Sequence, residues 1–247
     1  MKTEFTDIEI RDYLRCPKWY RWFYIEGIRR PRPVLMVEAQ VFAASFHKAL
    51  TEGYDIDQHR EYWNYLYDKT EPSIGLKVIG TGTRKRMPRE ARECLDKVLG
   101  VFYFMILPNM SSPPPWEDCE PRQMTYAGYT VTFKPDMLMG TSLVYIQSGP
   151  IVDKYIEKTE YIELLIPFIE NVKTKLYVLS MNPASKKQLG RFSEYSRKSG
   201  VIKASNIVRD TCNAINAEHY PRTAPQNRFC SKRTCEFYDM CTKYLER

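Results

Sequence analysis

The sequence predicts an α/β fold with a helical N-terminal lobe, a small mixed sheet and a cysteine-bearing C-terminal segment. Three observations predict it. Apolar residues recur at helical spacing through the first hundred positions; two β-rich runs, Met124–Met139 and Leu143–Gln147, follow a proline-rich seam; helical and extended stretches then alternate before the last cysteines.

Each element has its own signals. Residues 7–25 read as one helix, with Asp7 as N-cap and an apolar set including Ile8, Ile10, Leu14, Tyr20, Trp22 and Phe23. After a break at Arg30–Pro33, residues 35–52 form a second helix that stops before Gly53, and residues 57–69 form an aromatic-rich third. Residues 88–106 make another, with Pro88 in its first turn. The stretch Pro108–Pro121, which holds Pro113, Pro114 and Pro115, reads as a loop. The two β-rich runs are separated by a turn at Gly140–Ser142. Helical spacing returns over 153–171, where Pro167 should kink or end the helix. Lys175–Met181 reads as a strand and 201–218 as a helix. The organisation is one domain over 1–247: a helical lobe (1–107), a seam (108–122), a core (123–218) and a tail (219–247).

Composition narrows the class. Of 247 residues, 43% are hydrophobic and 27% charged, as in an ordinary globular chain. No apolar run approaches the roughly 18 residues that cross a bilayer, and the first residues show no signal-peptide pattern. The expectation is a soluble cytoplasmic protein with no membrane partner. Seven cysteines in such a reducing compartment argue against a disulfide framework, and an odd number cannot pair completely. The net charge is +7, gathered in runs: Lys18, Arg21, Arg29, Arg30 and Arg32; Arg84, Lys85, Arg86, Arg89 and Arg92; Lys186, Lys187, Arg191, Arg197 and Lys198. Basic runs interleaved with aromatics suit a groove that follows a nucleic-acid backbone, although solvated surface is the commoner use of such charge. The residues expected to contact DNA are Arg84, Lys85, Arg86, Lys186, Lys187 and Arg191.

Cys230, Cys235 and Cys241 stand close enough in sequence to offer three thiolates to one metal centre. A fourth must come from Cys16, Cys94, Cys119 or Cys212. Cys16 is preferred because Pro17 follows it, halting the helix and freeing the sulfur from local packing. Spacings of four and five residues suit a 4Fe–4S cluster better than the short paired knuckles of structural zinc, which stays the alternative. Joining Cys16 to the tail would close most of the chain into one loop, restricting the unfolded state by roughly 5 kcal/mol at most. Cys94 and Cys212, on expected helices, read as core; Cys119, in a loop, has no assigned role.

Four segments together resemble the RecB/AddB-like iron–sulfur branch of the PD-(D/E)XK nucleases, which includes CRISPR-adaptation exonucleases and phage relatives. They are Tyr13–Tyr20 around Cys16-Pro17, the helical stretch Ala43–Leu50 around His47, Pro135-Asp136 at the end of the strand from Tyr129, and the triple-cysteine tail. The resemblance implies a restriction-endonuclease-like core in which His47 and Asp136 hold a Mg²⁺ or Mn²⁺ ion, with DNA single strands or ends as partner. Cys16, Cys230, Cys235 and Cys241 would hold the cluster.

The chain departs from that pattern at the next strand, Leu143–Gly149. Tyr145 stands where the family carries a carboxylate, and Gln147 where it carries a lysine. A phenol is neutral at pH 7 and an amide places no charge on a transition state. Nor do Tyr161–Leu164 and Pro167 reproduce the family's Gln-x3-Tyr helix. The expectation is a pseudo-nuclease or complex subunit. The alternatives are an active enzyme with groups displaced to Asp153, Lys154, Glu157 and Lys158, and a protein-interaction module without DNA binding.

Overall fold

The computed structural model describes residues 1–29, 34–70, 88–110, 115–148, 162–171, 173–181, 190–195, 201–221, 230 and 235–243. The chain opens with strand β1 (Glu4–Thr6) and helix α1 (Asp7–Arg15). Thr6, not Asp7, caps that helix. Its hydroxyl accepts the Glu9 N–H while the Glu9 carboxylate accepts the Thr6 N–H, a reciprocal capping box worth about 1 kcal/mol.

The expected helix over 7–25 is three pieces. Cys16 is extended (φ −162°, ψ 104°), because a residue before proline is pushed out of the helical region. A single turn, α2 (Pro17–Tyr20), follows, and then a π-helical turn over Arg21–Ile25. Helices α3 (Val34–Glu52), α4 (Ile56–Thr70) and α5 (Pro88–Val101) match the sequence reading within a residue or two, with a π-turn at Phe102–Ile106 completing the last.

The β region is more divided than the sequence suggests. The seam contains a strand, β2 (Trp116–Asp118), and the run Met124–Met139 splits into β3 (Arg122–Tyr126), β4 (Tyr129–Phe133) and β5 (Met137–Met139). Ala127 and Gly128, both at positive φ (51° and 82°), make the two-residue turn between β3 and β4. Asp136 therefore does not end the strand from Tyr129. It sits in the link just before β5. Strand β6 (Ser142–Ser148) precedes α6 (Ile162–Glu170), which runs on through Pro167 instead of ending there. Proline at that position removes only the bond to the Glu163 carbonyl, near the helix start. Strands β7 (Leu176–Met181) and β8 (Gly190–Tyr195) follow, then α7 (Val201–Asn216) and α8 (Tyr238–Lys243).

The described strands form two mixed sheets, β1-β4-β3 and β2-β5-β6-β7-β8, with β1–β4 and β6–β7 parallel and the other pairs antiparallel. Alternation along β6 and β7 divides the larger sheet's two faces. Val144, Ile146, Leu179 and Met181 pack against Phe42, Phe46, Leu99 and Phe102 of the helical lobe. Tyr145, Leu176 and Val178 pack against Leu164 and Phe168 of α6. The smaller sheet, α1, α6 and α7 share a further core built on Phe5, Ile10, Val131, Phe133, Ile166 and Val208. Among the described residues no helix is long and apolar enough to cross a membrane.

Candidate functional site

Strand pairing and helix packing bring His47 to the sheet. Phe46 is wholly buried under it, and His47, one residue on, reaches the edge with its side chain 33% exposed. There His47 Nε2 lies 2.8 Å from Asp118 Oδ1. The register Asp118↔Met137 sets Asp118 beside the link that carries Asp136. Asp136 Oδ2 accepts the Ile146 N–H at 2.6 Å, tying that link to β6. Burial raises the Asp136 carboxyl, against the opposing pull of the Ile146 N–H, His47 and Lys134. His47, Asp118 and Asp136 thus form one corner. Asp118 was hidden in sequence by its proline-rich surroundings.

The histidine buried in the core is His59, which sequence reasoning passed over. Its ring nitrogens each lie 3.2 Å from a hydroxyl, those of Ser45 and Tyr103, and burial lowers its pKa to about 3. It is a neutral structural link between helices.

Tyr145 and Gln147 occupy adjacent same-face positions on β6. Tyr145 is 6% exposed, faces α6, and among the described residues its hydroxyl has no hydrogen-bond partner. Burial, then the nearby Asp7, Asp136 and Glu163, raise its ionisation well above the ordinary phenol range. Gln147 is half-buried, opposite Ser180. The carboxyls nearest Tyr145 belong to other elements. Asp7, on α1, is pushed up to about 7 by burial, opposed by the Ile8 N–H and Arg11. Glu163, on α6, is also raised by burial, opposed first by Arg11, and its Oε2 has no partner among the described residues. Asp7 and Arg11 sit one helical turn apart, so the arginine faces both acids. The arrangement is a packed polar interior. Asp153, Lys154, Glu157 and Lys158 lie outside the described residues.

The chain's two ends meet at the cysteines. Phe237, fully buried, packs against Trp19 and Trp22 with ring centroids 6.1 and 5.3 Å away. Cys16 caps α2: its Sγ accepts the Trp19 N–H at 3.4 Å. The Cys235 thiol is pushed up to about 12 by burial, and nearby Cys16 and Cys230 push the same way. Cys241 sits half-buried on α8. Among the described residues no three His, Cys, Asp or Glu side chains are placed to hold one metal ion. Cys16 and Cys230 lie near Cys235, short of a closed cage. Of the others, Cys212 is buried, its thiol pushed up to about 12; Cys119 is buried on the smaller sheet's core; Cys94 is half-buried on α5.

The expected DNA contacts Arg84, Lys85, Arg86, Lys186 and Lys187 lie outside the described residues. Arg191 is half-buried on β8, opposite Ser180.

No known family matches the chain, and no curated protein matches it. Solved structures do. The crystal structure of SSO0001 is similar at 13% identity and a TM-score of 0.41, over 98% of this chain and 87% of that one. A likeness that shallow fixes neither a fold family nor a site.

Proposed function

We propose that the chain is an iron–sulfur-clipped, nuclease-fold protein that binds DNA without cleaving it. The observation that carries the reading is the burial of Tyr145 against Leu164, Phe168 and Val178, at the strand position where the resembled nucleases carry a metal-binding carboxylate. A side chain with no anionic oxygen at pH 7, walled by apolar groups, holds no hard divalent cation.

The donor set at the chain ends fits a cluster by its chemistry. The Cys235 thiol, pushed up by burial and by nearby Cys16 and Cys230, would become a thiolate when a metal supplies the opposing charge. The Trp19 N–H already points at Cys16 Sγ, and such bonds to sulfur tune clusters. Four thiolates on one zinc would lie about 4 Å apart, closer than a multi-iron centre requires. Cys16, Cys230, Cys235 and Cys241 would hold the group. When bound it crosslinks the first and last segments; Phe237, Trp19 and Trp22 exclude water around it.

Anaerobic purification followed by iron, sulfide and visible-absorbance measurement tests the cluster. Incubating that protein with labelled single-stranded DNA and Mn²⁺ tests the rest: binding without cleavage is expected. Cleavage that Asp136→Ala abolishes would overturn the reading, and so would absence of DNA affinity at low ionic strength.

One observation favours a second reading, an active nuclease with a displaced ligand. Asp118 places a carboxylate 2.8 Å from His47 and beside the Asp136 link. Cleavage lost on Asp118→Ala would establish it.

A further inference from the structure

The segment following Cys16 carries aromatic residues at five of six positions, Trp19 to Tyr24. Tyr20 and Trp22 are buried, whereas Trp19, Phe23 and Tyr24 are half-buried. Four-residue spacing sets Trp19 and Phe23 on one side, where their rings stack at 4.7 Å with planes 13° apart. The chain then doubles back. The Glu26 and Ile28 N–H groups bond to the Arg21 and Trp22 carbonyls, and Gly27 makes the reversal at φ +65°, a conformation natural to glycine. Arg29 thereby returns over Phe23, its guanidinium carbon 3.9 Å from the ring centroid and its Nη1 donating to the Phe23 carbonyl. Lys18 projects over Trp22, 5.4 Å from its ring centroid.

Charge separates this ladder from a similar surface elsewhere. Arg21 is paired with Glu26 at 2.7 Å, but among the described residues neither Lys18 nor Arg29 makes an ion pair. On α4, Tyr62 and Tyr65 also stack, beneath Lys48 and Lys69. There Lys48 is bound to Glu52, and Asp57, Glu61 and Asp68 share the helix. The first aromatic surface carries two cations with no ion pair among the described residues; the second carries acidic side chains on its helix.

We propose that the Arg29–Phe23–Trp19 ladder is a base-stacking platform for single-stranded DNA, with Lys18 and Arg29 holding the adjoining phosphates. The proposal rests on the DNA-binding reading above and names its surface and strand form. Every base has a π-face, so stacking on such a platform tolerates any sequence. A duplex keeps its bases stacked on each other and offers the ladder only backbone. An arginine held over an aromatic ring by a side-chain bond to that residue's carbonyl needs little further ordering to take a base on its outer side.

Fluorescence anisotropy of a labelled 20-nucleotide thymidine strand tests this with the full-length, iron-loaded chain at low salt. Phe23→Leu keeps the apolar volume and removes the ring; it should weaken binding roughly 10-fold or more, with Phe23→Tyr restoring it. Arg29→Ala should weaken binding and lower the slope of log affinity against log salt by about one. Tyr65→Leu, on the acidic face, should change nothing. Unchanged iron content and melting temperature in each variant confirm that it folds. Wild-type affinity in Phe23→Leu would overturn the ladder and leave the DNA-binding reading standing, as would equal losses for duplex and single strand. A wild-type chain that binds no DNA would remove both. Self-association lost in Phe23→Leu, with DNA binding untouched, would reassign the ladder to contacts between copies.

Discussion

The closure of the chain ends and the β6 corner both carry residues that suggest chemistry, but the fold treats them differently. At the closure, Cys16 and Cys235 are set beside a wholly buried Phe237, and the surrounding rings are fitted to one another. At the corner, His47 and Asp136 lie at an edge supplied by Asp118, while Tyr145 on the neighbouring strand packs in an apolar cluster. The difference teaches that residue types spaced far apart in sequence meet groups of their own kind only where the tertiary packing brings those groups together. Tyr145 is surrounded by Leu164, Phe168 and Val178, whereas Cys235 has Cys16 and Cys230 near it.

The comparison can be broken most forcefully at Phe237. Truncating a fully buried aromatic costs about 3–5 kcal/mol, so Phe237→Ala should lower the denaturation midpoint by that equivalent and, on the cluster proposal, release iron. Unchanged stability would mean that Phe237 does not hold the two ends together.

Beside the corner, Asp7 offers the next largest effect. Burial raises its carboxyl to about 7, so between about pH 4 and 7 the folded chain keeps a proton that the unfolded chain sheds. Its contribution is full at acid pH, falls as pH rises to about 7, and is level above that. A shift of that size amounts to roughly 4 kcal/mol. Asp7→Asn should therefore raise the melting temperature at pH 7.5 and leave it unchanged at pH 4. Parallel pH profiles for the two proteins would exclude the site as a source of pH dependence.

Tyr145→Phe sharpens the contrast on a smaller scale. Deleting a buried hydroxyl that has no partner among the described residues should stabilise the fold by about 1 kcal/mol in chemical denaturation. A loss instead would identify a bound water or other group at the hydroxyl. Smallest is the exposed corner pair. Asp118→Asn should move stability by less than about 1 kcal/mol, since the Asp118 side chain is 74% exposed.

Much of the helical lobe was legible because long amphipathic segments announce themselves. Val34–Glu52 and Ile56–Thr70 follow the spacing of their apolar residues nearly to the residue. The strands were harder. Glu4–Thr6 and Trp116–Asp118 are three residues each, too short for any period, and exist because β4 and β5 lie alongside. Gly190–Tyr195 carries Gly190, Arg191, Ser193 and Glu194, poor strand formers that pairing with β7 overrides. The candidate site divides the same way. Cys16, His47 and Asp136 could be singled out by type and neighbours, but Asp118, Glu163 and Asp7 gained their meaning from elements far off in sequence.

By itself the sequence determined the helices, the break at Cys16-Pro17 and the uncharged side chains of Tyr145 and Gln147, because these are properties of residue type and local spacing. Only the tertiary structure decided which residues those groups meet. Hydrogen-bond register, sheet faces and the burial that raises Asp7 or lowers His59 arise between segments distant along the chain, where local sequence carries no information about distance.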